Sequence, residues 1–479
     1  MKIIDLWIED YKILQDFEIE LNEQLIVLIG QNGSGKSTLL EFIAKIFYDL
    51  YEHFVLGKGQ KPEFDFKLRY MIEYSGNNYE VYITANKKTK EYYEINIKRN
   101  NENFEKYSKV QINQEFDSGY KDMLPQNVVM YYSGISEILE NKFKVFQEEY
   151  FIKPSVKNSQ KIEQPFFYFL PENFSTILVA LLAYYYRVPE ILKEQFTIDG
   201  FEKITITLKK PYWAKDTIEN VWGASGDLSS FIARIINALG DESHYEITEK
   251  NIIFTIPSQE KLTFIWEFYG EEKSIFEYLT TLQANDLIEN IEIMINKDGK
   301  IISHNNLSEG EKQLLIILGL KELLATENTL FLFDEPDTYL HPKWQREFIQ
   351  NALVQGMDSK SSFIISSHSA NIISGLKKRQ LKIINKENNK SILKDFSFNP
   401  YGKPVDQLLI DFFDVKGLRF KEVDEKIDFL QKYLYSKNYS EEIFENKLEE
   451  LGHDIGKDDI DYLKLKLEKI KRDKNEKNK

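Results

Sequence analysis

Gly30-Gln31-Asn32-Gly33-Ser34-Gly35-Lys36-Ser37 has the G-x-x-x-x-G-K-[ST] pattern of a phosphate-binding loop. Glycines let such a loop wrap so that backbone N–H groups point inward at phosphate oxygens. A helix beginning near Lys36 adds its positive dipole end. Lys36 is placed to reach the β- and γ-phosphates, and the Ser37 hydroxyl to ligate Mg²⁺. Far along the chain, Leu330-Phe331-Leu332-Phe333-Asp334-Glu335 is an apolar strand ending in two acids. Asp334 can stand beside Ser37 and hold the metal, while Glu335 can polarise an attacking water and accept its proton. Such a strand end is weak evidence alone; beside the phosphate loop it completes a nucleotide site.

Two further segments carry chemistry. In Leu307-Ser308-Glu309-Gly310-Glu311, Ser308 is a good helix N-cap and Glu311 completes a capping box. With no side chain at Gly310, the same start exposes free N–H groups to an anion. His368 ends the apolar run Ile364-Ile365-Ser366-Ser367, and its position after the other three motifs predicts a γ-phosphate contact.

The elements that must position these residues are legible as patterns. KIIDLWIEDY and FEIELNE alternate as half-buried strands do, and LIVLIG reads as a strand covered on both faces. STLLEFIAKIFYDLY has helical spacing, and residues 64–98 read as antiparallel strands joined by turns such as Ser75-Gly76-Asn77-Asn78. NVVMYYSG is another strand candidate, and from about 141 to 290 the pattern is mainly helical with mixed strands. EKQLLIILGLKELL, TLFLFDEP and SSFIISSHS alternate helix and strand, as a parallel, helix-covered sheet requires. From about Pro404 the chain is helical and charged.

The 479 residues carry a formal charge of −15 and no cysteine. That excludes disulfides and Cys-ligated metal sites, suits a reducing cytoplasm, and argues against a broad nucleic-acid-binding surface. MKIIDLWIED carries acids where a secretion signal has a basic flank. The uncharged run Phe174–Tyr186 falls short of the roughly 20 residues of a membrane span and reads as a buried helix.

As a set, these motifs resemble the ABC-type ATPase head of the SMC/RecF/OLD branch, over roughly residues 1–55 and 300–375. Asp337-Thr338-Tyr339-Leu340-His341-Pro342 looks like the D-loop of OLD-like members, and Tyr11-Lys12 resembles the base-flanking residues of RecF-like heads. The resemblance implies an α/β fold. A mixed sheet with a phosphate-loop core is expected in lobes 1–140 and 301–400, with a mainly helical insertion at 141–300 and a helical extension at 401–479. It implies ATP as ligand, held by Gly30, Asn32, Gly33, Ser34, Gly35, Lys36, Ser37, Thr38, Lys12, Ser308 and Gly310. Mg²⁺ falls to Ser37 and Asp334, and catalysis to Lys36, Glu335 and His368. Two departures stand out. Glu309 replaces the glycine of transporter signatures, and Ser133-Gly134 stand where the family's Q-loop glutamine ends a strand.

In this family each ATP is sandwiched between one subunit's phosphate loop and another's signature helix, which implies a homodimer or higher homo-oligomer. The 272 positions from Lys36 to Ser308 are too many for a transporter subunit, and the interval has no sustained heptads for a long coiled coil. YYSG, LSEGEKQLL and DEPDTYLHP look like the standalone ATPases of prokaryotic defence loci, the Septu ATPases in particular. That likeness implies a separate effector, a nuclease of the HNH type, in antiviral defence. Asp459-Ile460-Asp461, the one tail candidate for a Toprim nuclease, reads more plainly as a helix entry. Two alternatives are a nucleotide-gated scaffold, suggested by Glu309 and the missing glutamine, and RecF-like repair through DNA contacts at Lys377, Lys378, Arg379 and Lys382.

Overall fold

The computed structural model describes residues 1–59, 61–132, 165–184, 187–223, 227–248, 250–268, 270, 273–350, 361–413 and 419–477. Ser133 and Gly134 lie outside the described residues. The chain divides into two compact units, Met1–Gly402 and Lys403–Lys479.

In the first unit, β1 (Lys2–Tyr11) and β2 (Leu14–Glu20) form a hairpin. β4 (Phe66–Tyr74), β5 (Asn77–Ala85), β6 (Tyr93–Arg99) and β7 (Glu105–Lys106) extend it into an antiparallel sheet of order β2-β1-β4-β5-β6-β7. The expected turn between β4 and β5 uses Ser75 and Gly76, both with positive φ.

A second sheet holds the chemistry. It contains β3 (Leu25–Ile29), β8 (Asn127–Tyr132), β9 (Phe166–Tyr168), β15 (Thr329–Asp334), β16 (Ser362–Ser366), β17 (Leu381–Glu387) and β18 (Lys390–Lys394). Their order is β18-β17-β3-β16-β15-β8-β9, parallel except for the β17–β18 hairpin. Every residue of β3, β15 and β16 is buried, which is why these strands are continuous apolar runs without alternation. This is the mixed sheet built around a phosphate loop that the motifs imply.

Helix α1 (Lys36–Phe54) follows β3 and lies between the two sheets. Phe42 meets Tyr11 and Phe66 on the antiparallel side, and Leu39, Phe42, Ile43 and Phe47 share one core with Ile26, Leu28, Leu332 and Ile364. Each such fully buried side chain contributes roughly 1.5–3 kcal/mol, so the register of α1 behind the loop is strongly fixed.

Between the lobes, β10 (Ile198–Lys209), β11 (Tyr245–Ile247), β12 (Asn251–Ile256), β13 (Ile288–Lys297) and β14 (Lys300–Ser303) form an antiparallel sheet of order β11-β12-β10-β13-β14. The helices around it include α2 (Asn173–Ala183), the apolar run read as a buried helix, and it is buried. Among the described residues no helix is long and apolar enough to cross a membrane. Helix α3 (Glu309–Leu324) crosses α2 closely: a Cβ at Gly319 would sit 2.2 Å from Ile177.

The second unit packs α4 (Lys421–Leu434), α5 (Glu441–Ile455) and α6 (Ile460–Lys477) around Leu430, Leu434, Phe444, Leu448, Leu451 and Leu465. Its Asp459 and Asp461 are both paired with Arg419, at 2.8 and 2.9 Å, and Asp459 accepts from the Asp461 N–H at the start of α6. The helix-entry reading of this pair fits that arrangement.

Candidate functional site: a nucleotide-binding cluster

The loop between β3 and α1 turns on three glycines with positive φ, Gly30, Gly33 and Gly35. At two of them space also demands glycine. A Cβ on Gly30 would lie 1.8 Å from the Ile384 carbonyl oxygen, and one on Gly35 2.4 Å from the Ser391 hydroxyl. Gly33 and Asn32 are exposed, Thr38 is half-buried, and Ser34 is buried with its hydroxyl unpartnered. Gly35 is the N-cap of α1 and offers no side-chain cap, so the first N–H groups of that helix are left to another acceptor.

Lys36 is buried and its ammonium is hydrogen-bonded to the carbonyls of Gly30 at 3.0 Å and Gln31 at 3.3 Å. Burial lowers its pKa, and the charges of Glu335 and Asp334 offset part of that. The Ser37 hydroxyl donates to both Asp334 oxygens, at 2.8 and 3.0 Å, across 297 positions of sequence. Burial raises the Asp334 pKa, against hydrogen bonds from Ser366 and Ser37. A hydroxyl and a carboxylate are the oxygen donors Mg²⁺ takes when phosphates and waters supply its other ligands. The buried, unpartnered Ser34 hydroxyl and the uncapped helix suit the phosphates. The residues fit Mg²⁺-nucleotide.

Glu335 follows β15 with φ 49°, a left-handed conformation uncommon outside glycine. Its N–H is held at 3.1 Å by both the carbonyl and the hydroxyl of Ser366, so strand β16 sets the kink. The carboxylate meets Nε2 of His368 at 3.0 Å, with both side chains one-third exposed. Burial and then Lys36 lower the His368 pKa, while Glu335 raises it. His368 thus touches the candidate base directly. Lys36, Ser37, Asp334, Glu335 and His368 form one cluster, as expected from the motifs.

Ser308 and Gly310 belong to a second cluster. Ser308 caps α3 through the expected box, its hydroxyl 2.8 Å and its N–H 2.9 Å from Glu311. Glu311 is pushed up by burial, but the bonds from Ser308 and Lys297 prevail and its pKa is lowered. A Cβ on Gly310 would sit 2.7 Å from the Tyr339 carbonyl, so packing against the turn after Glu335 demands glycine there. Glu309 is exposed and paired with Lys312 at 2.9 Å. Their bonds and close contacts are with Glu311, Tyr339 and Lys312, none of them phosphate-loop residues.

What aims α3 was not legible as a motif. His304, buried just before it, accepts from the Ile293 N–H at 3.2 Å and shares a 2.9 Å hydrogen bond with Ser175 of α2. Burial lowers its pKa, so it serves as a neutral pin between the insertion and the helix start. Gln313, buried on α3, donates to the Tyr131 hydroxyl at 3.2 Å and the Glu335 carbonyl at 3.4 Å, and accepts from the Tyr339 N–H at 2.9 Å. An amide inside the apolar run of α3 was the available signal. Ser366 and Ser367 were missed too; Ser367 donates to the buried Asp337 at 2.9 Å. Burial pushes Asp337 up to about 7, and its other oxygen is unpartnered.

Lys12 sits at the tip of the β1–β2 hairpin with φ 54°. Its ammonium is 2.8 Å from both Glu41 oxygens on α1, and the Tyr11 hydroxyl donates to the same carboxylate. Ile13, next to it, lies against Gly35, so the hairpin tip flanks the loop. In the basic strip, Arg379 is paired with Glu23 at 3.3 Å and the Lys378 ammonium lies over the Phe396 ring. A cleft of about 570 Å³ opens beside the start of α3, lined among others by Tyr131, Tyr132, Glu309, Lys312, Gln313 and Tyr339.

A family model described as an AAA ATPase domain matches residues 1–373. The chain is similar to the Retron Vc95 probable ATPase of Vibrio cholerae serotype O1 biovar El Tor, 23% identical over 440 residues, covering 85% of this chain and 78% of that protein. It is also similar to the Retron Ec83 probable ATPase of Escherichia coli, 22% identical over 532 residues, covering 98% and 87%. Among solved structures, an SMC head domain from Thermotoga maritima aligns at 13% identity and a TM-score of 0.33, over 83% of this chain and 100% of that one. An SMC head bound to the C-winged helix domain of ScpA aligns at 12% identity and a TM-score of 0.35, over 83% and 99%.

Proposed function

The chain belongs to the AAA ATPase domain family, and from that premise we propose that it hydrolyses ATP between two copies of itself and thereby controls a separate effector in antiviral defence. The observation that carries this reading is the separation of the two clusters. The first gathers the residues expected to grip and cut a triphosphate, while Ser308 and Glu309 at the signature helix start are exposed and bonded to Glu311 and Lys312, which are not phosphate-loop residues. A second copy supplies the missing half.

The residues divide the work. Lys36 exchanges the carbonyls of Gly30 and Gln31 for phosphate oxygens, an exchange favoured because its charge is buried. Ser37 and Asp334 would hold Mg²⁺, which supplies charge neutralisation at the phosphates. Glu335 takes the proton of the attacking water, and His368 orients that carboxylate. Ser308 and the N–H groups of α3 stabilise the terminal phosphate bound on the opposing copy.

The likeness of the motifs to defence-locus ATPases and the retron names of the relatives support the defence setting. The finer assignments, to the Septu ATPases and to an HNH nuclease as effector, rest on the motif pattern. Glu309 is paired with Lys312, which offsets part of the charge that suggests a non-hydrolysing scaffold; the missing glutamine, the other ground for that reading, falls at Ser133 and Gly134, outside the described residues.

Turnover by purified protein and its Glu335→Gln variant tests the chemistry: hydrolysis falls at least ~10²-fold while nucleotide binding persists. Mixing Lys36→Ala with Ser308→Arg copies restores turnover that neither has alone. A protein that stays monomeric at saturating ATP, with no such complementation, overturns the shared site. Tight binding without turnover in the parent favours the scaffold instead.

A further inference from the structure

Helix α6 of the second unit has two faces with different fates. On one, Tyr462 and Leu465 are buried in the core of that unit. Farther along the same face the Lys469 ammonium is paired with Glu441 at 2.8 Å and with Glu445. The Arg472 guanidinium lies 3.5 Å from the centre of the Tyr439 ring. Anchors spaced alternately three and four residues apart hold the helix at one rotation. The other face carries Ile460, Leu463, Leu467 and Ile470 at the same spacing, each 44–64% exposed. A single exposed leucine is ordinary, but a row of this kind has the a and d spacing of consecutive heptads.

The charges beside the row decide what it fits. With Ile460 as a, the flanking e positions are Lys464 and Lys471, the g between them is Lys466, and Lys474 takes the next a. Lys466, Lys471 and Lys474 are exposed and enter no ion pair among the described residues, while Lys464 is paired with Asp461 at 3.1 Å. The acids of this stretch, Asp461, Glu468 and Asp473, are all half-buried. On a chain of net charge −15 this is a local excess of positive charge. A second copy paired in parallel sets Lys466 against Lys471, and an antiparallel one sets the e lysines against each other, so like charges oppose self-pairing. A membrane surface calls for a broader apolar face than an a/d seam.

We propose that this face of α6 is a docking surface for an acidic amphipathic helix of a partner protein. The partner's own a and d residues close over the apolar row, and its carboxylates at e and g meet Lys464, Lys466 and Lys471. Helix α6 is already ordered by the core beneath it, so only the partner loses conformational freedom on docking. That is why a short seam suffices.

The test uses the full chain and a labelled peptide of about three heptads, with Ile at a, Leu at d and Glu at e and g. A twin peptide with Lys at e and g is the control. Fluorescence anisotropy should show the acidic peptide binding at least ~10-fold more tightly than its twin. Leu467→Gln should weaken that binding by ~10- to 100-fold, the worth of one buried leucine. Lys466→Glu combined with Lys471→Glu should invert the preference between the peptides. These variants change exposed side chains, and an unchanged thermal transition verifies their fold. Equal affinity for the two peptides, or none for either, overturns the proposal. Tighter binding to phosphatidylserine vesicles or single-stranded DNA than to the acidic peptide overturns it in favour of those anions. Nucleotide-free self-association that Leu467→Gln abolishes overturns it in favour of a second copy. No phosphate-loop or signature residue takes part, so each of these outcomes leaves the ATPase reading untouched.

Discussion

The cluster at the ends of β15 and β16 and the start of α3 handle their acids in opposite ways. Asp334 and Asp337 are each 3% exposed and are met by serine hydroxyls, with burial raising both pKa values. Glu309 and Glu311 sit at an open helix start, one exposed and paired with Lys312, the other closing the capping box. A region that buries carboxylates among hydroxyls holds them ready for a cation or a proton. A region that caps itself and faces solvent is built to meet something from outside. The difference separates a cluster that buries its acids from one that leaves them at the surface, and it assigns the larger energetic stakes to the first.

Three substitutions probe that contrast. The largest effect is expected at Asp337. A carboxylate whose folded pKa is raised stabilises the fold below its unfolded pKa and loses that contribution as pH climbs through the folded one. Here the window runs from the ordinary value of 3.8 to about 7. At ~1.4 kcal/mol per pKa unit the loss is bounded by ~4 kcal/mol. Asp337→Asn should therefore match the parent near pH 3, below the unfolded value, and exceed it at pH 8, read from urea midpoints. Parallel pH profiles for the two proteins would break the contrast.

Gly310→Ala comes next. The added methyl meets a backbone carbonyl at 2.7 Å, which cannot swing aside as a side chain would. Overpacking of ~1–3 kcal/mol outweighs the ~1 kcal/mol that alanine gains in a helix. Urea unfolding should register a net loss of ~1 kcal/mol; a more stable variant would mean that Tyr339 moves freely against α3.

The smallest effect belongs to the second unit. Arg419→Ala breaks the pairs with Asp459 and Asp461, but these groups are near the surface, where such pairs are worth under ~1 kcal/mol. The thermal transition should shift little, and nucleotide binding not at all. A loss of ATP binding would show that the acids of the tail belong with the chemistry after all.

Much of the core was legible because its signals are local. The loop announced itself through glycine positions whose φ values and close neighbours demand glycine, and the apolar run of β15 announced a strand buried on both faces. The capping box of Ser308 and Glu311 is a three-residue pattern and stands as read. Gln313, His304 and Ser366 were not legible, because each matters through a partner distant in sequence. For Gln313 and Tyr131 the separation is 182 positions.

By itself, the amino-acid order determined which residues could grip a phosphate, where helices start, and which strands must be covered. Backbone sterics and side-chain periodicity act over a few residues, and those choices follow from them. Only the tertiary structure decided that β15 runs between β16 and β8, bringing Asp334 to Ser37, Glu335 to His368 and Tyr132 alongside Asp334. Strand order is a long-range choice among ladders of similar local quality, settled by how the whole apolar surface is buried.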